Sequence, residues 1–238
     1  MIVEAMTLQE IHNELFTDLP TLNARMKYCR KDFRRKVLKA SRFPYTFTYE
    51  LNTPQKKNLF IVTFTALTKG NSDKPLLSVY GIYNRTEGSY AASLSVDLLT
   101  SSIYPPHFFK RYRERIVKDQ KLSNKELIRK YFDKTLGFYK VEANTQHKAV
   151  YDSFENSIDE EVGFIAATDE GYCFGSSLGK INIVKTIISE ENLFDSQKEI
   201  FHKLRQEYNQ ANKARYGVGF KLRNPEMQIT KISRSSFQ

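Results

Sequence analysis

The spacing of hydrophobic residues predicts two helices at the start of the chain. A short one runs from Thr7 to Asp18, and a longer one opens at Pro20 and Thr21. The apolar residues of the longer helix recur at steps of three and four, the period of one helical face: Leu22, Met26, Cys29, Phe33, Val37 and Ala40. Each helix is therefore expected to pack one face against the rest of the fold.

After Pro44 the hydrophobic period changes from helical spacing to alternation, which predicts β-strands. Four extended segments follow one another, separated by turn residues such as Gly70–Asp73 and Glu87–Gly88: Tyr45–Leu51, Leu59–Leu67, Leu76–Tyr83 and Tyr90–Val96. Strands joined by short turns favour an antiparallel meander, with the longer helix lying on it or beside it.

The second half of the chain predicts helices first and strands afterwards. A helix from about His107 to Val117 precedes another that opens at the capping box Ser123–Glu126. Three strands and a final helix follow: 162–168, 172–176, 181–188 and about 192–214. We therefore expect an α+β fold: an antiparallel β-sheet with N-terminal helices, a central two-helix insertion and a long C-terminal helix.

The composition is that of a globular protein. Hydrophobic residues make up 40% of the 238, with 17 Phe and 14 Tyr, which is enough for a core. We expect one domain over 1–238, with possible sub-modules at 1–100, a helix plus meander, and at 103–214. No run approaches the roughly 18 apolar residues of a membrane span, and the N-terminus lacks a signal-peptide pattern. The two cysteines lack zinc-ligand spacing. We expect a cytoplasmic protein without metal or cofactor.

Charge changes this picture, because it is concentrated in two segments. The net charge is +10, which favours polyanionic partners. Residues 25–42 hold nine basic residues and one acid, and residues 103–140 hold eleven basic and four acidic residues. The first segment is either a solvated surface helix or a helix that contacts phosphates. Its candidate nucleic-acid contacts are Arg30, Arg34 and Arg35.

The second basic segment contains the candidate chemistry. At 100° per residue His107, Arg111, Glu114 and Arg115 share one stripe of a helix. A histidine can move the proton of a ribose 2′-OH, and arginines can stabilise charge on a phosphorane-like transition state. Glu114 could orient the histidine or pair with either arginine. Such pairs are also ordinary helix salt bridges, so a surface helix is the alternative.

A wider order of elements resembles a known group. A His–x3–Arg–x3–Arg helix, a Ser-started helix and three strands ending in Lys185–Thr186 resemble the metal-independent ribonuclease toxins of the barnase–EndoU–colicin–RelE group. The resemblance covers about residues 103–197. It implies catalytic roles for His107, Arg111, Arg115 and a polar residue of the last strand. The preceding meander has no counterpart in that group.

Alternation on the last strand distinguishes Lys185 from Thr186. Ile181, Ile183, Lys185 and Ile187 would share one face, and the more polar opposite face would carry Thr186 towards the helix. We therefore assign Thr186 to the catalytic set. Lys185, Lys110 and Arg113 become candidate nucleic-acid contacts.

Three functions are compatible with these residues. The first is a toxin-like endoribonuclease that cleaves RNA by 2′-OH attack. The second is a non-catalytic nucleic-acid-binding protein, and the third is an interaction protein of a phage, plasmid or mobile element. An acidic inhibitor protein is a further expected partner, and no membrane is. RNA and DNA are not distinguished by phosphate contacts alone.

Overall fold

The computed structural model describes residues 2–95, 99–135, 139–143, 161–216 and 229–231. The helices are α1 Leu8–Thr17, α2 Leu19–Lys39, α3 Pro106–Tyr112, α4 Asn124–Lys134 and α5 Asp195–Tyr216. A π-helical turn, Arg113–Val117, extends α3, and short 3₁₀ turns cover Lys69–Ser72 and Glu190–Asn192. The strands are β1 Tyr45–Asn52, β2 Leu59–Ala66, β3 Leu76–Arg85, β4 Gly88–Ser95, β5 Thr100–Tyr104, β6 Tyr139–Glu142, β7 Val162–Thr168, β8 Gly171–Leu178, β9 Ile181–Ile188 and β10 Ile229–Lys231. The predicted α+β class is confirmed, including the N-terminal helices, the central helix pair and the C-terminal helix.

The chain divides into two compact units. Unit 1 consists of Met1–Thr86, Ala91–Leu99 and Leu222–Gln238, and unit 2 of Glu87–Tyr90 and Thr100–Lys221. Among the described residues, no helix is both long enough and apolar enough to cross a membrane.

Unit 1 is a sheet covered by α2. Strand β2 pairs antiparallel with β1 on one side and with β3 on the other, while β10 lies parallel to β1. The apolar stripe of α2 is buried as predicted from Leu22 to Val37, whereas Ala40 follows the helix and is half-buried. The Phe33 ring lies 5.4 Å from that of Phe64. The Tyr49 hydroxyl donates to the Asp32 carboxylate at 2.8 Å. The single acid of the basic segment is therefore turned towards the sheet.

Unit 2 is built around the sheet β5-β9-β8-β7-β6. Strands β6 to β9 pair antiparallel, whereas β5 lies parallel to β9. Neighbouring residues of β8 face opposite sides: Cys173 meets Tyr131 of α4, and Phe174 packs on Phe201 of α5. Helices therefore cover both faces of this sheet.

A β-bulge in β9 alters the predicted alternation. Phe174 pairs with Thr186 and Gly175 pairs with Val184, so Lys185 is an extra residue in its strand. Val184 and Thr186 consequently lie on opposite faces, and the prediction that they share a face is wrong. A Cβ atom at Gly175 would lie 2.0 Å from the Ile183 carbonyl oxygen, so this close approach requires glycine.

The end of β5 leaves part of β9 open. Strand β5 pairs with Ile181 to Ile183, and two prolines then end it because they lack the N–H groups that a ladder needs. On this side residues 184–188 have no strand partner within the described sheet. Helix α3 runs along this edge and brings its polar side chains to the open backbone of β9.

Candidate functional site

Helix α3 begins where the two prolines stop the strand. Pro106 occupies its first turn, a position where the missing N–H has no consequence. Phe108, Phe109 and Tyr112 are buried, as predicted, and the Phe108 and Tyr131 rings meet edge to face at 5.1 Å. This docking fixes the helix and places His107 at its N-terminal end, where part of the residue reaches the surface and part is covered.

The helix changes its winding before it reaches Arg115. The Lys118 N–H donates to the Arg113 carbonyl at 2.8 Å, a π-type bond, and Lys118 ends the turn in a left-handed conformation. A π-turn winds more slowly than 100° per residue, so Glu114 and Arg115 point in other directions than they would in a regular α-helix. Such turns occur frequently at functional sites.

Arg115 binds the open edge of β9. Its guanidinium Nη1 donates to the Thr186 hydroxyl at 3.2 Å and to the Ile187 carbonyl at 3.0 Å. Burial, followed by the positive charge of Arg111, lowers the pKa of the Arg115 guanidinium. Arg115 and Thr186 are therefore brought together, with the arginine satisfying a carbonyl that no strand partner covers.

His107 lies about two turns before Arg115, at the start of α3. Partial burial lowers the pKa of the His107 imidazole, a hydrogen bond with the Lys185 main chain opposes this, and the charges of Arg111 and Lys185 reinforce the lowering. The ring is therefore mostly neutral at pH 7. A neutral imidazole that donates one N–H to the backbone keeps its other nitrogen as a proton acceptor.

Arg111 and Glu114 form a pair at the surface. Their side chains are 49% and 36% exposed, and Arg111 Nη1 lies 2.9 Å from Glu114 Oε2. From the sequence, Glu114 could orient His107 or pair with an arginine. The contact shows that it pairs with Arg111. The hydrogen-bond partner that contributes to the pKa of His107 is the Lys185 main chain.

Two predicted nucleic-acid contacts are engaged inside unit 2. Lys185 Nζ lies 3.3 Å from Glu161 Oε2, and both side chains are only about 15% exposed. Arg113 donates to the Leu122 carbonyl at 2.9 Å and to Asn124 at 3.1 Å, which ties α3 to α4. Lys110, by contrast, is exposed.

The predicted contacts on α2 are all exposed. The Arg30 guanidinium lies 5.8 Å from the Phe64 ring centroid, within cation–π range. Arg34 Nε lies 2.8 Å from Asp73, in a pair whose side chains are both largely exposed. Arg35 has no ion-pair partner among the described residues.

Sequence reasoning missed two partners of the site. Glu161 balances Lys185, and the Ile187 carbonyl receives Arg115. A main-chain acceptor has no residue signature, so only the early end of β5 at the prolines could have indicated it. Elsewhere in unit 2, burial raises the pKa of the Asp133 carboxyl to about 7, although the Arg129 charge lowers it.

The arrangement combines a proton acceptor with nearby cations. The charge of Arg111 lowers the pKa of both His107 and Arg115. The Thr186 hydroxyl accepts a hydrogen bond from Arg115 at the same end of β9. Within the described ranges, no three His, Cys, Asp or Glu side chains are grouped so as to bind a metal ion. Comparisons with protein-family models, curated proteins and solved structures found no match. The resemblance to ribonuclease toxins therefore stays a prediction.

Proposed function

We propose that unit 2 is a metal-independent endoribonuclease. Its site is the surface where α3 and its π-turn meet residues 184–188 of β9, which we call the α3–β9 edge. The observation that carries this proposal is the setting of His107. Its ring is held by the Lys185 main chain, and its pKa is lowered. A general base must be unprotonated at the operating pH and held in orientation; the lowered pKa supports the first requirement and the main-chain partner supports the second.

In the proposed reaction the neutral nitrogen of His107 takes the proton of a ribose 2′-OH. The 2′ oxygen attacks the adjacent phosphorus, the bond from phosphorus to the 5′ oxygen breaks, and that oxygen takes a proton from water. His107 afterwards returns its proton to the solvent. The products are a 2′,3′-cyclic phosphate and a 5′-hydroxyl end. The reaction needs no external nucleophile.

The neighbouring cations have different roles in this proposal. Arg111 is exposed, so its guanidinium can approach the phosphate that carries the developing charge. Arg115 is bound to Thr186 and Ile187, so it positions the end of β9 and adds positive potential. The side chain of Lys185 is paired with Glu161, and the role of this residue is the hydrogen bond between its main chain and His107.

Labelled RNA tests the proposal. Single-stranded RNA carrying a 5′ label is incubated with the protein in EDTA, beside the 2′-O-methyl RNA and the DNA of the same sequence. We expect cleavage of the unmodified RNA alone, with cyclic phosphate ends. Intact RNA, or equal cleavage of the DNA, contradicts the proposal.

Non-catalytic nucleic-acid binding is the second candidate function. It is favoured because Arg115 and Lys185 are engaged inside unit 2. Few cations at the α3–β9 edge are then available to stabilise the charge of a transition state. RNA that stays intact but binds with strong salt dependence would identify this function.

A further inference from the structure

The outward face of α2 carries a regular ridge of positive charge in unit 1. Lys27, Lys31, Arg35 and Lys39 follow one another at steps of four residues, and all four are exposed. Four residues advance an α-helix by about 6 Å, so the ridge is about 18 Å long. Within the described part of the chain these four side chains make no ion pair. No ion pair among the described residues offsets their mutual repulsion.

Other charges of α2 lie away from the ridge or are balanced. Asp32, the acid of this segment, accepts from the Tyr49 hydroxyl and lies 3.5 Å from Lys36. Arg34 flanks the ridge but is paired with Asp73 at 2.8 Å. The ridge therefore presents four cations whose natural complement is a polyanion.

Two large hydrophobic side chains border the same ridge. Tyr28 is 63% exposed and Leu38 is 46% exposed, although both belong to a helix with a complete apolar face of its own. Because the tyrosine ring stands among cations, it offers a stacking surface for a base whose phosphates the cations contact. Duplex bases are stacked on one another and do not use such a surface.

A lipid surface does not fit this helix. Amphipathic helices bind membranes by burying their apolar face among the acyl chains. In α2 that face is already covered by the sheet of unit 1, where Leu22, Phe33 and Val37 have no exposed area.

We infer that the α2 ridge binds the backbone of single-stranded RNA, with a base stacked on Tyr28. The inference builds on the proposed function only in taking RNA as the polyanion. It concerns binding by unit 1, whereas the proposed function concerns cleavage by unit 2, and the two can fail separately.

The test measures binding of a 2′-O-methyl oligouridine, which the proposed reaction cannot cleave, by fluorescence anisotropy over a range of salt concentrations. The ridge variant replaces Lys27, Lys31, Arg35 and Lys39 with Gln. A matched control replaces Lys69, Lys74, Lys180 and Lys203 with Gln, which removes the same charge at other exposed positions. Circular dichroism checks that both variants fold.

We expect the ridge variant to bind at least tenfold more weakly at low salt. The slope of log Kd against log salt concentration should fall by about 3, since each lost phosphate contact on a single strand contributes about 0.7. Tyr28→Ala should weaken binding by at least about fivefold, and Tyr28→Phe should not.

Three results would overturn the inference. They are equal losses in the ridge and control variants, unchanged binding by the ridge variant, and binding of anionic lipid vesicles in place of the oligonucleotide. If the ridge variant binds the oligonucleotide more weakly as expected, but the wild-type protein does not cleave RNA, only the proposed function is contradicted.

Discussion

The two basic helices, α2 and α3, use their cations in opposite ways. On α2 the ridge from Lys27 to Lys39 projects from a helix whose apolar face is fully covered. On α3 and its π-turn, Arg115 is drawn to the open edge of β9, and Arg113 holds the connection to α4. Charge density alone does not distinguish the helices. On α3 the arginine is bound because the neighbouring strand has a carbonyl, that of Ile187, which no strand partner covers.

One buried carboxylate in each unit gives a second comparison. In unit 1, Asp18 accepts from Asn58 Nδ2 at 2.7 Å and from the Thr53 hydroxyl at 3.0 Å. In unit 2, both carboxylate oxygens of Asp133 are buried without a hydrogen-bond partner among the described residues. Hydrogen bonds therefore compensate the burial of Asp18, whereas none among the described residues does so for Asp133.

The largest effect is expected at Gly175, where β8 and β9 approach closely beside the bulge. Gly175→Ala places a methyl group 2.0 Å from the Ile183 carbonyl oxygen and 2.7 Å from the Phe164 ring. We expect the free energy of unfolding to fall by at least about 3 kcal/mol. Chemical denaturation measures this loss. Gly70→Ala in unit 1, where the nearest atom lies at 3.6 Å, is the control and should change little.

The contrast between the helices predicts unequal costs for removing an arginine. Arg115→Ala leaves the Ile187 carbonyl without its donor and should lower the free energy of unfolding by about 2 kcal/mol. Arg35→Ala on the ridge should lower it by less than about 0.5 kcal/mol. Denaturation of both variants under one set of conditions gives the comparison. Equal values would show that Arg115 is as dispensable to the fold as a surface cation.

A smaller effect is expected at Asp133. Its folded-state pKa of about 7 lies above the unfolded value of about 3.9, so the protonated carboxyl favours folding. This contribution is complete below about pH 4 and is lost as the pH rises through about 7. Asp133→Asn should therefore raise the free energy of unfolding at pH 8 by about 1 kcal/mol.

The same variant should flatten the pH dependence of stability between about pH 4 and pH 7. Asp195→Asn supplies the control. This carboxylate is exposed, and its hydrogen bond to Lys198 lowers its pKa, so its removal should bring no stabilisation at pH 8. An unchanged stability of Asp133→Asn would mean that the buried carboxyl is better solvated than its contacts indicate.

Local patterns predicted most of the fold because hydrophobic period and turn residues are local. Both N-terminal helices, the meander strands and β7 to β9 fall close to their predicted bounds. Strand β5 was missed because its sequence, Thr-Ser-Ser-Ile-Tyr, has little apolar character. It is stabilised by pairing with residues some 80 positions later, Ser101 with Ile181 for example, and no local pattern records such a contact.

The candidate site was predicted less completely, for geometric reasons. The helix positions of His107 and Arg111 follow from the α-helical period, whereas the π-turn, which the period does not predict, sets the directions of Glu114 and Arg115. The alternation argument for Thr186 was wrong because the bulge depends on Gly175 in another strand. Thr186 nevertheless meets Arg115, since the open edge of β9 brings them together.

The most direct test of the account is the rate of RNA cleavage in EDTA as a function of pH, for the wild type and for His107→Gln. The glutamine keeps an N–H for the Lys185 main chain but cannot take a proton. The wild-type rate should fall towards acid with a midpoint below the ordinary histidine value of about 6.5, because the pKa of His107 is lowered.

The variant should be slower by at least about 100-fold, without that acid limb, and should bind the 2′-O-methyl oligonucleotide as tightly as the wild type. His202→Ala, which changes an exposed histidine on α5, controls for the general loss of an imidazole. Equal rates for the wild type and His107→Gln, or a pH profile shared by both, would contradict the central claim that His107 is the base.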